Sequence, residues 1–130
     1  MIVIDASAVL ELLLQTGKGM QVSETALSPE QRLHAPHLID VEVTQTLRRL
    51  TQSKAISAHR AAQALADFND LGIERHSHQD LIPRLWELRN ALSAYDASYV
   101  ALAEALDTSL LTCDGKLARA HGHHARITTL

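Results

Sequence analysis

Short apolar runs alternate along this sequence with longer stretches in which apolar side chains return every three or four positions. The first pattern predicts buried strands and the second amphipathic helices, and their alternation predicts an α/β fold. Ile2 to Asp5 reads as a buried parallel strand, followed at once by the helical run Ala6 to Leu14, which Gly17 and Gly19 close. A short helix over Met20 to Leu27 and a brief strand over Arg32 to Ala35 come next. Pro36 suits the first turn of a helix running to about Ser53, because the donor it lacks would be unpaired there. Ser57 caps a further helix to Leu71, Gly72 ends it, and Ile73 to His76 is a candidate strand. Asp80 to Leu92 reads as one helix with Pro83 in its opening turn, and Ser93 starts another that ends near Leu106. Leu110 to Thr112 is strand-like, Gly115 to Ala120 helical, and Arg126 to Thr129 a last strand. The expected architecture has three layers, with a mostly parallel central sheet flanked by helices.

Composition narrows this picture. With 130 residues, 46% of them hydrophobic, the chain can enclose one core without covalent staples, so residues 1–130 are expected to form a single domain. The lone Cys113 cannot form an internal disulfide, which points to a reducing compartment. No basic region precedes the apolar start, Asp5 and Glu11 interrupt any signal-like run, and no apolar stretch approaches the roughly 20 residues that span a bilayer. A cytoplasmic protein without membrane contact is the expectation. The formal charge of -3 argues against a uniformly basic nucleic-acid binder. Residues 43 to 66, however, hold Arg48, Arg49, Lys54 and Arg60 and no acid, so one region could attract phosphates; a solvated helix face is the alternative. Aromatic residues make up only 3% of the chain, which excludes an extended base-stacking platform.

The candidate chemistry lies in acids. Ligands of an open parallel sheet collect at the carboxyl ends of its strands. Asp5 ends the first predicted strand and Asp114 lies two residues beyond Thr112, although each could equally be the N-cap of its following helix. Asp96 aligns at helical spacing with Val100 and Ala103, placing a carboxylate on an apolar stripe, where it is costly unless paired or metal-bound. Its alternative is a capping role after Ser93. Asp40 and Glu42 both flank the stripe Ile39, Val43, Leu47 and Leu50, and periodicity does not choose between them. Oxygen-only clusters of this kind suit Mg²⁺ or Mn²⁺, which relieve carboxylate repulsion and can activate water against a phosphodiester.

Four segments resemble the PIN domains, and among them the VapC-type toxins of bacterial toxin–antitoxin pairs. They are Val3-Ile4-Asp5-Ala6-Ser7-Ala8, Pro36 to Arg49 with its Glu-Val and Leu-Arg-Arg, Ala94-Tyr95-Asp96-Ala97-Ser98-Tyr99, and Leu110 to Ala118. They stand in family order and cover essentially the whole chain. The resemblance implies that Glu42, which precedes the Val of the Glu-Val pair, is the second acid. It further implies Asp5 and Asp96 as principal metal ligands, with Glu42 and Asp114 completing the cluster directly or through water, and Ser7 and Thr112 as supporting polar positions. The implied activity is endoribonuclease cleavage of RNA by metal-activated water, with Mg²⁺ or Mn²⁺ as cofactor. The implied partners are a second copy of the chain, a separately encoded VapB-like antitoxin that covers the site, and operator DNA reached only through that antitoxin. Arg48, Arg49, Lys54 and Lys116 are candidate RNA-binding cations. Nothing in the family's chemistry calls for a thiol, so Cys113 is expected to be a small core residue.

His121, His123 and His124 fall in a Gly-containing loop without the partners a zinc centre needs. Arg84 and Arg89 could hold phosphates, but an amphipathic helix is expected to turn them to solvent. A phosphoacceptor signalling domain would need a central acceptor Asp and a strand-borne Lys, and neither is found. A haloacid-dehalogenase-like phosphatase would want an Asp where Ser7 stands. A binding module that kept the fold and lost the chemistry is the remaining alternative, against which the presence of all four acids speaks.

Overall fold

The computed structural model describes residues 1–130. Five strands, β1 (Ile2–Ile4), β2 (Leu33–Pro36), β3 (Glu74–His76), β4 (Ser109–Thr112) and β5 (Arg126–Thr129), form one sheet in the order β3-β2-β1-β4-β5. Every pairing is parallel, so the expected mostly parallel sheet is wholly so. The central strand β1 is buried throughout, as its unbroken Ile-Val-Ile run requires of a strand covered on both faces.

Between the strands lie α1 (Ala6–Leu13), α2 (Gly17–Ala26), α3 (Leu38–Gln52), α4 (Ala58–Asp70), α5 (Ile82–Glu87), α6 (Ala94–Ala105) and α7 (Gly115–Arg119). Strand order runs one way from β1 to β3 and then jumps across the sheet to β4. Right-handed crossovers therefore place α1 to α4 on one face and α5 to α7 on the other. The core joins Val3, Ile4, Val9, Ile39, Val43, Leu47, Tyr99, Val100, Leu110 and Leu111, among others.

Three local expectations are corrected. Gly17 and Gly19 do not close the first helix; they open α2, while α1 already ends at Leu13 and the chain turns away at Gln15, which takes a left-handed φ of 54°. A Cβ on Gly19 would stand 2.4 Å from the Glu11 carbonyl oxygen, so the glycine exists for helix approach rather than termination. Pro36 is the last residue of β2, not part of a helix, and its missing N–H suits a strand end as well as a helix start. Asp80 to Leu92 is not one helix: a 3₁₀ turn over Gln79–Leu81 leads into the short α5, and Leu88 caps it. The chain must turn back within a few residues to reach Ser93, whose Oγ accepts from the Asp96 N–H and starts α6. Gly72, with φ of 66°, ends α4 as expected.

Candidate active site

The reversal of strand order between β1 and β4 decides where chemistry can sit. The helices after these two strands leave toward opposite faces, and a crevice opens between the strand ends. Asp5 stands after β1 and Asp114 after β4. Each is also an N-cap: Asp5 Oδ1 accepts from the Ala8 N–H at 3.0 Å, and Asp114 Oδ1 from the Lys116 N–H at 2.9 Å. Capping fixes both carboxylates at the rim and does not compete with a role there.

Asp5 is buried and held from further sides. Ser7 Oγ donates to its Oδ1 at 2.6 Å, and Thr112 Oγ1 to its Oδ2 at 2.5 Å, across 107 positions of sequence. The Cys113 N–H donates to Ser7 Oγ at 3.0 Å, and the Asp114 N–H to Thr112 Oγ1 at 2.9 Å. Ser7 and Thr112 thus bolt the ends of β1 and β4 together around one carboxylate. Cys113 is half-buried, and burial raises its thiol pKa, so it has little thiolate character.

Glu42 projects from α3 and accepts a 2.5 Å bond from the buried Tyr99 hydroxyl of α6. Tyr99 was not singled out from the sequence. Its signal was available, because it lies three residues after Asp96 and so on the same side of the helix. Asp40, the acid that periodicity left beside Glu42, lies on the other flank of α3. There it receives Arg75 Nε at 3.0 Å and Nη2 at 2.7 Å.

Electrostatics bind Asp5, Glu42 and Asp96 into one site. Burial raises the Asp5 pKa, the Asp96 charge adds to this, and the bonds from Ser7, Thr112 and Ala8 oppose it. Glu42 is raised by burial and by the charges of Asp96 and Asp5, against its bond from Tyr99. Asp96 is raised by burial and by Asp114, against Lys116 and Ser93. Every one of these carboxyls is held above its ordinary range, by burial first and by neighbouring negative charge second.

Residues 2–122 match the PIN domain family. The chain belongs to that family. It is 47% identical over 118 residues to VapC ribonuclease Mb0985 of Mycobacterium bovis, covering 91% of this chain and 89% of the relative. Among solved structures it is similar to VapBC2 from Rickettsia felis bound to a DNA fragment from their promoter, at TM-score 0.71 and 14% identity, covering 99% and 98% of the two chains. It is also similar to Mycobacterium tuberculosis VapC20, described as a Sarcin-Ricin loop cleaving toxin, at TM-score 0.70 and 16% identity, covering 95% and 97%.

Within this PIN domain the expected cations divide. Arg49 lines an open cleft of about 540 Å³ together with Ser7, Glu42, Thr46 and Tyr95. Lys116 is exposed, and its charge acts on Asp96. Arg48 and Lys54 are exposed and line no part of that cleft. Arg60 donates to the Leu13 carbonyl at 2.6 Å and serves the end of α1. Arg84, expected to face solvent, instead grips Glu104 with two 3.0 Å bonds, while Arg89 is exposed with its guanidinium 4.6 Å over Trp86. His124, read as a loop residue, places Nδ1 2.7 Å from Glu104 Oε2.

The donor set fits a hard divalent cation. Asp5, Glu42, Asp96 and Asp114 offer oxygen alone, and burial with neighbouring negative charge raises the pKa of the first three, a cost that a cation would relieve. Their oxygens do not form a closed shell: the only candidate ligand trio within 4.8 Å of one another lies elsewhere, at His34, Glu74 and His76. An open arrangement suits Mg²⁺, which keeps several of its own waters.

Proposed function

We propose that this PIN domain, residues 1–130 acting as one unit, is a Mg²⁺- or Mn²⁺-dependent endoribonuclease, the toxin of a VapBC-type toxin–antitoxin pair. The observation that carries this reading is the placement of Asp5 and Asp114 at the ends of β1 and β4, where the strand order reverses, beside a cleft that holds Ser7, Glu42 and Arg49. The name of the Mycobacterium bovis relative as a ribonuclease supports the reaction class. Asp5 and Asp96 are the residues that would hold the cation, with Glu42 and Asp114 completing the set directly or through water. A divalent ion bound there supplies positive charge that lowers the pKa of a water nucleophile and offsets charge developing on the phosphodiester.

The chain's own residues prepare the rest. Ser7 and Thr112 fix the Asp5 carboxylate in one orientation, and Tyr99 does the same for Glu42. Arg49 and Lys116 flank the acids from α3 and α7 and receive the phosphates on either side of the cleaved bond. The partners of this reading are RNA, a second copy of the chain and a VapB-like antitoxin through which operator DNA is reached. The solved VapBC2 assembly on a promoter DNA fragment supports the antitoxin and the DNA reached through it, by analogy of fold. No helix is long and apolar enough to cross a membrane, in keeping with the proposed cytoplasmic setting.

The test is cleavage of a defined RNA pool by antitoxin-free protein with Mg²⁺ or Mn²⁺, against EDTA and against Asp96→Asn. Metal-dependent cutting that the variant loses is expected. Equal cutting by a folded Asp96→Asn protein would remove the proposed centre.

A further inference from the structure

At the β3 edge of the sheet, β2 and β3 bring three Lewis bases together. His34 and Glu74 are register partners, and His76 follows Glu74 by two residues, so all three project from one face. His34 Nδ1 lies 2.9 Å from His76 Nε2 and 3.6 Å from a Glu74 carboxylate oxygen. In a tetrahedral ion site with metal–ligand bonds of about 2.0–2.2 Å, ligand atoms stand roughly 3.3 Å apart. The spacing here brackets that value without any movement of the backbone.

The hydrogen bonding of the trio is incomplete. A neutral pair of imidazoles can place only one proton between Nδ1 of His34 and Nε2 of His76, so one lone pair is used and the other is masked. His34 is buried, with 5% exposure, and ligation through its Nδ1 would leave the proton on Nε2, on the far side of the ring from the ion. A cation in place of that shared proton would let both nitrogens offer lone pairs, with the Glu74 carboxylate supplying charge. Glu74 and His76 lie on an edge strand, and the Glu74 side chain is 64% exposed, so an ion can enter from solvent.

We propose that His34, Glu74 and His76 form a second metal site, selective for a borderline ion of the Zn²⁺ type and separate from the oxygen-only centre. Two imidazoles and one carboxylate provide three ligands and leave the fourth position to water. The ion clasps the edge strand β3 to β2. Because β2 runs directly into α3, which carries Glu42, the clasp stiffens the strand from which that helix departs.

The experiment uses the full chain, freed of metal with a chelator that is then removed, and titrates Zn²⁺ by calorimetry. Wild type and Asp96→Asn are each expected to retain a Zn²⁺ site that His76→Gln and Glu74→Gln weaken by about tenfold or more. Zn²⁺ should also raise the unfolding temperature of the wild type and not of His76→Gln. Affinity equal in wild type and both substituted proteins, all folded by circular dichroism, would overturn the site. So would a sole Zn²⁺ site that Asp96→Asn abolishes. If either substitution unfolds the protein, assigned imidazole resonances of the wild type decide. One equivalent of Zn²⁺ must shift those of His34 and His76, and shifts confined to other histidines would overturn the site.

Discussion

Asp96, in the first turn of α6, and Glu104, in its last, are both acids drawn out of water on one helix, yet only one of them is neutralised. Glu104 is almost fully buried and is met by a bidentate Arg84, by the His124 N–H at 3.2 Å and by the His124 ring. Burial alone would raise its pKa, but the bonds and charges of Arg84 and His124 outweigh this and bring it below the ordinary range. Asp96 is half-buried and faces other carboxylates, and burial followed by the Asp114 charge pushes it the other way. The same residue class at two ends of one helix is structural where partners are supplied. Where they are withheld, the site is poised for a cation from outside.

The sharpest way to break this contrast is to neutralise its unpaired end. Asp96→Asn should reduce metal-dependent RNA cleavage by about 10²-fold or more, the scale at which a positioned charge acts in a transition state. Quantitative cleavage assays on folded protein check this, and undiminished activity would place Asp96 outside the site. At the paired end, Glu104→Gln should cost about 2–3 kcal/mol in denaturant melts, somewhat below a fully buried pair because Arg84 keeps part of its exposure. Its RNA cleavage per folded molecule should stay unchanged; a loss of activity without loss of stability would show that the two ends are coupled.

A smaller effect of opposite sign sharpens the comparison. Without divalent cation, Asp96→Asn should be more stable than wild type by about 1 kcal/mol, since it removes a charge that repels its neighbours. Added Mg²⁺ should close that gap by stabilising the wild type more. A wild type that is the more stable of the two in EDTA would contradict the electrostatic reading of the site.

The smallest signal is in pH. The raised pKa values of Asp5, Glu42 and Asp96 mean that the folded state favours their protonated forms. Their contribution is fully present below the unfolded values and is lost as pH rises through the raised folded values. Glu104 contributes with the opposite sign: its stabilisation is present above its unfolded value and is lost as pH falls through the lowered folded one. Cation-free Glu104→Gln should therefore gain stability as pH is lowered from neutrality into the raised carboxyl range. Adding Asp96→Asn should flatten that gain. A slope unchanged by the second substitution would assign the pH dependence to other groups.

Much of this was legible wherever one segment carries its own signal. Ile-Val-Ile followed by Asp marks a buried strand end, Ser57 and Ser93 cap the helices they were expected to cap, and β5 has the bounds read from Arg126 to Thr129. Local signals failed where a neighbour decides the outcome. Gly19 looks like a helix stop until α1 is packed against it, and Pro36 fits a helix start or a strand end equally well. The pairing of Arg84 with Glu104 and the meeting of His34 with His76 depend on docking and register across long separations, which no periodicity encodes. Glu42 could be told from Asp40 only by family resemblance, and the Asp40–Arg75 pair now supplies a physical distinction.

The hydrogen bond from Thr112 to Asp5 also has a consequence for the order of events on the ribosome. Asp5 is among the first residues made, yet its carboxylate is unoriented until β4 has emerged and paired with β1. A nascent chain stalled anywhere before β4 carries at most three of the four acids and none of the assembled crevice. A nuclease built this way would be inert toward the messenger and the ribosome that are producing it, and prematurely terminated fragments would be harmless as well.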